Sequence, residues 1–225
     1  ISPLSMQFLL GMILDGAQGE TADEICWVLG YEAGDIRAIN AFASSMLEQL
    51  PAVDKETALS IADAVFVNDR CSILDSYRTS VVQNYDATVS DLDFSDVGEA
   101  TNRINQWCSD HTNGMITHVL DQVDATVLAY LMNAVYFKGK WSDPFDKELT
   151  EQRTFTDEKG SRQKVEMMAQ WERFYYTENR RMQCLCLPYG SGNGSFCMFV
   201  LLPKAGYKVS DLVTGLNTGQ LTVMD

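Results

Sequence analysis

The chain has 225 residues, 46% of them hydrophobic, enough for one large domain or two small ones at about 100 to 200 residues each. With 31 acidic against 17 basic residues the net charge is −14, which argues against phosphate backbones and anionic lipid surfaces, so no nucleic-acid or membrane partner is expected. No run of about 18 apolar residues occurs, so no membrane-spanning helix is expected, and a chain that opens ISPLS carries any targeting leader outside itself.

In chain order, Ser2 as N-cap and Pro3 at the first helical position start a helix that runs through Leu14 and stops at Gly16. The stretch TADEICWVLG offers a capping box from Thr21 to Glu24 and a stop at Gly30, which predicts a short second helix. Ile36, Ile39, Ala43, Met46, Leu47 and Leu50 recur at helical spacing before Pro51, with Arg37 as the only basic residue of that third helix. ALSIADAVFVND (58–69) has strand composition, 73–85 reads as helix and ATVSDLDF (87–94) as a short strand. Residues 98–112 form an amphipathic helix with Ile104 and Trp107 on one face, closed by Asn113 and Gly114.

The next strand carries an anomaly. Alternation from Val127 puts Ala129, Leu131, Asn133, Val135 and Phe137 on one face, and all of these except Asn133 are apolar. An unpaired amide out of water costs on the order of 1 to 3 kcal/mol, so Asn133 needs partners from elsewhere in the fold. The only small hydroxyls at a comparably buried helix start are those of Ser2 and Ser5. Equally, Ser2 could merely cap its helix while Asn133 bonds a neighbouring backbone carbonyl.

From Glu151 onward, short alternating segments are separated by turn clusters at 157–161, 177–181 and 190–195, the signature of an antiparallel meander. The cluster GSGNGS lies between two strands and lacks a following Lys-Ser/Thr, so it is a hairpin loop and not a phosphate cradle. Helices first and antiparallel strands later give an α+β class, with 207–216 again helical. The six cysteines show no CxxC spacing, and Cys108 with His111 forms a lone CxxH with only His118 to add. A structural zinc and a Cys/His hydrolase are both disfavoured by that scarcity. Buried free thiols are the simpler reading, although a hairpin over 184–202 would face Cys186 towards Cys197 and leave one disulfide open.

Five motifs stand in a particular order: ISPLS (1–5), NxWCxxxTxGxI (105–116), LMNAVYFKGKWxxPF (131–145), VEMM (165–168) and LPYGSGNGSFCMFVLLP (187–203). Together they resemble the serpins along the whole chain. The resemblance implies the serpin fold, multi-domain α/β in family terms, with helices, a large central sheet and an antiparallel meander. Residues 1–225 would form a single such domain, incomplete here, with a first helix ahead of Ile1 and the reactive loop and late strands after residue 225. An apolar gap beside the strand of Asn133 would follow. The resemblance also implies that Asn133 meets Ser2 and Ser5 in the shutter, where the central sheet parts. Gly139 and Trp141 match the breach, where the loop first enters; there Gly139 would allow a bend or close approach, and Trp141 would be a large buried ring.

For function, the resemblance implies a protein that is not an enzyme and has no catalytic residue, cofactor or metal. It would be a suicide-substrate inhibitor whose partner is a serine or cysteine protease, met through a reactive loop outside this chain. A binding, carrier or chaperone-like serpin without inhibitory activity is the alternative. The family points to an extracellular or cell-envelope setting. Serpins that use glycosaminoglycans carry basic residues near the helix corresponding to 35–50, where this sequence has Arg37 beside Asp35 and Glu48.

Heparin is therefore expected neither to bind this protein tightly nor to accelerate protease capture, because the net charge of −14 opposes the encounter. Salt-sensitive retention on a heparin column would contradict this.

Overall fold

A computed structural model of the chain describes residues 2–192 and 195–217. They fall into two compact units, residues 1–53 with 58–138 and residues 54–57 with 139–225.

In the first unit the Ser2 hydroxyl accepts the N–H of Ser5 at 3.2 Å and starts α1 (Pro3–Gly16), with Pro3 at the position whose N–H would be unpaired anyway. Helix α2 (Glu20–Val28) begins ahead of the expected capping box. Gly19, at φ 59 and ψ −141, takes the cap position without a side-chain bond, so Thr21 lies inside the first turn. That backbone conformation favours glycine, which is why the start moved. Gly30 ends the helix as expected at φ 80, with the Tyr31 N–H donating to the Cys26 carbonyl at 2.9 Å.

Helix α3 (Ile36–Gln49) follows, burying Ile39 and Ala43. Strand β1 (Thr57–Asn68) pairs in parallel with β2 (Thr88–Leu92), from Ala64 opposite Thr88 to Asn68 opposite Leu92, and α4 (Asp75–Tyr85) is the crossover that a parallel pair requires. Helix α5 (Val97–His111) then leads to β3 (Ala129–Gly139), and the sheet order is β2-β1-β3. The Asn68 N–H donates to the Leu128 carbonyl while Asn133 donates to Asp63, so contacts step down β1 as they step up β3. The two strands are therefore antiparallel.

Both faces of this sheet are covered. On one, Ile61, Val65 and Val67 of β1 and Ala129 and Leu131 of β3 pack with Phe8 and Met12 of α1, Ala43 of α3 and Val81 and Tyr85 of α4. On the other, Ala64 and Phe66 of β1 and Tyr130, Met132 and Ala134 of β3 pack with Ile104 and Trp107 of α5. Trp107 meets Phe66 edge to face at 6.0 Å. The alternation read from the sequence of β3 thus holds, and Asp63 and Asn133 share the register of the α1 face. Beside the start of β3 lies an apolar cavity of about 520 Å³, lined by Ile13, Val65, Ile73, Tyr77, Leu128 and Leu131 among others. Its lining comes mainly from α1, α4, β1 and β3, so it lies on the helix-covered face of the strand pair and not at the outer edge of β3, where the gap is expected.

In the second unit the meander divides. Strands β4 (Glu151–Thr156) and β5 (Arg162–Met167) form a separate hairpin, while β6 (Tyr175–Glu178), β7 (Met182–Pro188) and β8 (Cys197–Pro203) make a three-stranded antiparallel sheet. The split has a local cause. Asp157 accepts the N–H groups of Lys159 and Ser161 at 2.9 and 2.8 Å, and Gly160 stands at φ 84, which closes the first hairpin on itself. The turn GSGNGS joins β7 to β8, with Asn193 and Gly194 outside the described residues. Leu212 of α6 (Val209–Asn217) packs against Met182 and Leu201.

One glycine couples the first-unit helices. A Cβ on Gly11 of α1 would fall on the Tyr85 hydroxyl, which donates to Asn40 at 2.7 Å. Gly11→Ala should therefore destabilise by roughly 1 to 3 kcal/mol through overpacking, despite alanine's better helix propensity of about 1 kcal/mol. A urea midpoint that stays or rises would show that Tyr85 moves aside freely.

Candidate functional site

The amide at position 133 finds its partner on the adjacent strand. Asn133 Nδ2 donates to Asp63 Oδ1 at 2.9 Å. Ser2 and Ser5 bond to each other instead, Ser5 Oγ donating to Ser2 Oγ at 2.9 Å, so the expected cluster of the two serines with Asn133 does not form here. The reason is local: the Ser2 oxygen already accepts the Ser5 N–H as the cap of α1, whereas Asp63 sits across the strand pair on the same face as Asn133. Neither a serine nor a backbone carbonyl was the answer.

Asp63 is only 1% exposed. Its Oδ2 and the Oδ1 of Asn133 are both buried without a hydrogen-bond partner. Burial pushes the Asp63 carboxyl up to about 6, with the bond from Asn133 opposing the rise. The sequence carried a signal for Asp63 that went unread: within Ile61, Asp63, Val65 and Val67 it interrupts an apolar alternation as Asn133 does.

At the expected breach, Gly139 is the last residue of β3 and has no positive φ, so the bend foreseen there is not a left-handed one. Trp141, expected as a large buried ring, is half-buried. It stacks on Tyr189, with ring centroids 4.4 Å apart and planes at 13°, and Phe145 meets it edge-on at 6.2 Å. Backbone bonds fix the stack: Ser142 N–H to the Pro188 carbonyl at 3.0 Å and Gly190 N–H to the Lys140 carbonyl at 2.8 Å.

Just beyond the stack, the glycine-rich turn is tied down by a carboxylate that sequence reasoning passed over. Asp54 Oδ2 accepts from Ser191 N at 3.0 Å and Ser191 Oγ at 3.2 Å, while its Oδ1 accepts from Glu56 N at 2.8 Å. These bonds, that from Glu56 foremost, hold the carboxyl below its usual range. Gly190 is required by this closeness: at φ +64, a Cβ there would run into the Asp54 carboxylate and the Thr57 hydroxyl. Nothing in the local sequence signals a partnership across so many residues.

The thiols and imidazoles are engaged elsewhere. Cys186 and Cys197 are free and in contact on one face of the β7–β8 pair, and burial followed by that contact raises the Cys186 thiol. His111 Nδ1 lies 2.8 Å from the Trp107 carbonyl, and His118 pairs with the exposed Asp121 at 2.7 Å. Among the described residues no group of three or more His, Cys, Asp or Glu is arranged to hold a metal ion.

Comparison with known proteins agrees with this architecture. The family described as Serpin (serine protease inhibitor) matches residues 1–224. Serine protease inhibitor 42Dd of Drosophila melanogaster is 33% identical over 204 residues, covering 89% of this chain and 55% of its own. Among solved structures, Arabidopsis AtSerpin1 in its native stressed conformation is similar with a TM-score of 0.86 at 28% identity, over 96% of this chain and 56% of that one. A thyroxine-binding globulin in complex with thyroxine gives a TM-score of 0.83 at 25% identity, over 97% and 62%. The chain thus spans little more than half the length of the curated relatives it matches.

Two substitutions test the site. Asn133→Leu removes the donor bonded to the Asp63 carboxyl and should cost roughly 1 to 3 kcal/mol in denaturant titrations, whereas unchanged stability would mean the pair contributes nothing. Gly190→Ala should destabilise by a similar amount, about 1 to 3 kcal/mol, because it adds both strain at a left-handed residue and a clash with Asp54. A neutral result there would show that the turn rearranges without loss.

Proposed function

The chain belongs to the serpin family, and on that premise we propose that the protein is a suicide-substrate inhibitor of serine or cysteine proteases. It works as part of a single serpin domain whose reactive loop lies outside this chain. Loop insertion into the central sheet is the property for which serpins are known, and it is carried over from the family and not from the geometry. In this reading the protease acylates itself on the loop, the loop enters the sheet, and the protease is distorted before deacylation. In this reading the protein is an inhibitor and not an enzyme.

The observation that supports the reading is β3. Among the described residues it is the edge of its sheet, and the polar link at its centre, Asn133 to Asp63, runs to the strand on its other side. Such a strand keeps its register through a directional bond while one edge stays open to a new neighbour. We assign Asn133, Ser2 and Ser5 to the region where the sheet parts, and Gly139 and Trp141 to the point of loop entry. The Trp141–Tyr189 stack would hold that entry closed.

A carrier function is the second reading, favoured by the apolar cavity of about 520 Å³ beside β3, which falls in the size range of small-ligand sites. One solved relative is itself a complex with thyroxine.

Incubation of the natural full-length protein with a panel of serine and cysteine proteases decides between them. Inhibition is expected to appear as a complex that survives SDS, with the cleaved protein melting at a higher temperature than the intact one. Cleavage without a trapped complex and without a gain in melting temperature would favour the carrier.

A further inference from the structure

A carboxylic acid and a carboxamide are complementary partners, joined by two parallel hydrogen bonds: the amide N–H to the acid carbonyl and the acid O–H to the amide carbonyl. At the centre of the β1–β3 pair the first of these bonds is made, Asn133 Nδ2 to Asp63 Oδ1 at 2.9 Å. Both atoms of the second, Asp63 Oδ2 and Asn133 Oδ1, are buried and without a partner. Two buried acceptors without partners are costly, and a proton on Oδ2 directed at Oδ1 would satisfy both.

We propose that Asp63 is a proton-binding site, closed by Asn133 into a two-bond acid–amide pair that locks β3 to β1, and that loss of the proton opens the lock. The step is a simple acid dissociation: the Oδ2–H bond breaks, the electron pair stays on the carboxylate and the proton passes to solvent. Burial supports the assignment, since it pushes the Asp63 carboxyl up from 3.8 to about 6. A carboxyl raised in this way stabilises the fold fully below its unfolded value, and the contribution is lost as pH rises through the folded value. The window is therefore between about pH 4 and just above 6, with a flat response beyond.

Other charges do not account for such a response at this position. On α4, Tyr85 is the group that feels Asp63, and its phenol is held far above its ordinary value by burial first and by nearby acidic groups next, so it stays neutral. The carboxylate of α1, Asp15, is engaged with Asn40 at 2.7 Å and Ser80 at 2.7 Å. Arg37 and Glu48 of α3 are exposed, and Asp91 of β2 is bonded to Arg78 of α4 at 2.9 Å. Tyr130, Tyr136 and Lys138 of β3 fall on the alternate positions of the strand, the register of the face that α5 covers. Among the described residues no cation is bonded to Asp63, which leaves the proton as the neutralising group in this proposal.

The lock does not depend on the inhibitor reading. If that reading holds, mild acid would tighten the strand pair that borders the edge at which the loop enters.

The test is a carboxyl titration of the natural full-length protein by isotope-edited infrared or NMR spectroscopy, with Asp63→Asn to assign the signal. The expected result is a titration near pH 6 that disappears in Asp63→Asn; a carboxyl titrating in the ordinary range near 4 would overturn the proposal. Asp63→Asn is the neutral twin of the closed pair. Relative to the natural protein it should gain stability as pH rises, by about a hundredfold in the folding equilibrium between pH 4 and 8. A constant difference across that range would also overturn the site. Hydrogen exchange at residues 129–135 reads the lock itself. Protection relative to Asp63→Asn should fall from pH 5 to pH 7.5, and an unchanged ratio would show that the proton is bound but locks nothing. Protease trapping, scored separately, decides the inhibitor reading without bearing on any of these results.

Discussion

A sheet covered on both faces offers its polar side chains no water, and that constraint organises the first unit. Strands β1 and β3 pack against α1, α3 and α4 on one side and α5 on the other, most tightly around Ala64 to Val67 and Ala134. Every inward polar group must then find its partner within the sheet or in the layer directly against it. Asp63 and Asn133 solve this for each other, at a single point of contact between neighbouring strands. The bond is directional, so it fixes which residue faces which. A pair of apolar side chains would only fix how much volume is filled.

Much of this was legible before any coordinates. Ser2, Pro3 and Gly16 mark the limits of α1 because capping depends on residues within one turn of each other. The faces of β3 follow from a period of two, which local sequence also carries. The start of α2 was misread because two local signals competed, and a glycine able to adopt φ 59 outranked a threonine able to offer a hydroxyl. Asn133 announced itself as an anomaly, but its partner was sought among hydroxyls at a helix start. The actual partner lay in another strand that showed the same anomaly, which only a side-by-side reading of the two strands would have revealed. Pairings such as Trp141 with Tyr189, or Asp54 with Ser191, are products of topology, and no spacing rule reaches them.

Asp54 and Asp63 stand close together in sequence yet meet opposite electrostatic fates, which separates two ways of using a buried carboxyl. Asp54 is surrounded by donors: two backbone N–H groups and a hydroxyl, each pointing at an oxygen that prefers to be charged. Its pKa falls, and the stability it contributes is present above the usual carboxylate range and lost as pH drops through the lowered value. Asp63 is raised by burial first, and the one donor it has, from Asn133, offsets that rise only in part while its other oxygen lacks a partner. Acid therefore loosens the turn at Ser191 and tightens the strand pair at Asn133. The direction follows from whether donated hydrogen bonds outweigh desolvation, as they do at Asp54 and do not at Asp63. A strand held by the second kind of contact stays firmly in register while its proton remains, and its hold weakens under conditions that leave the apolar packing around it unchanged.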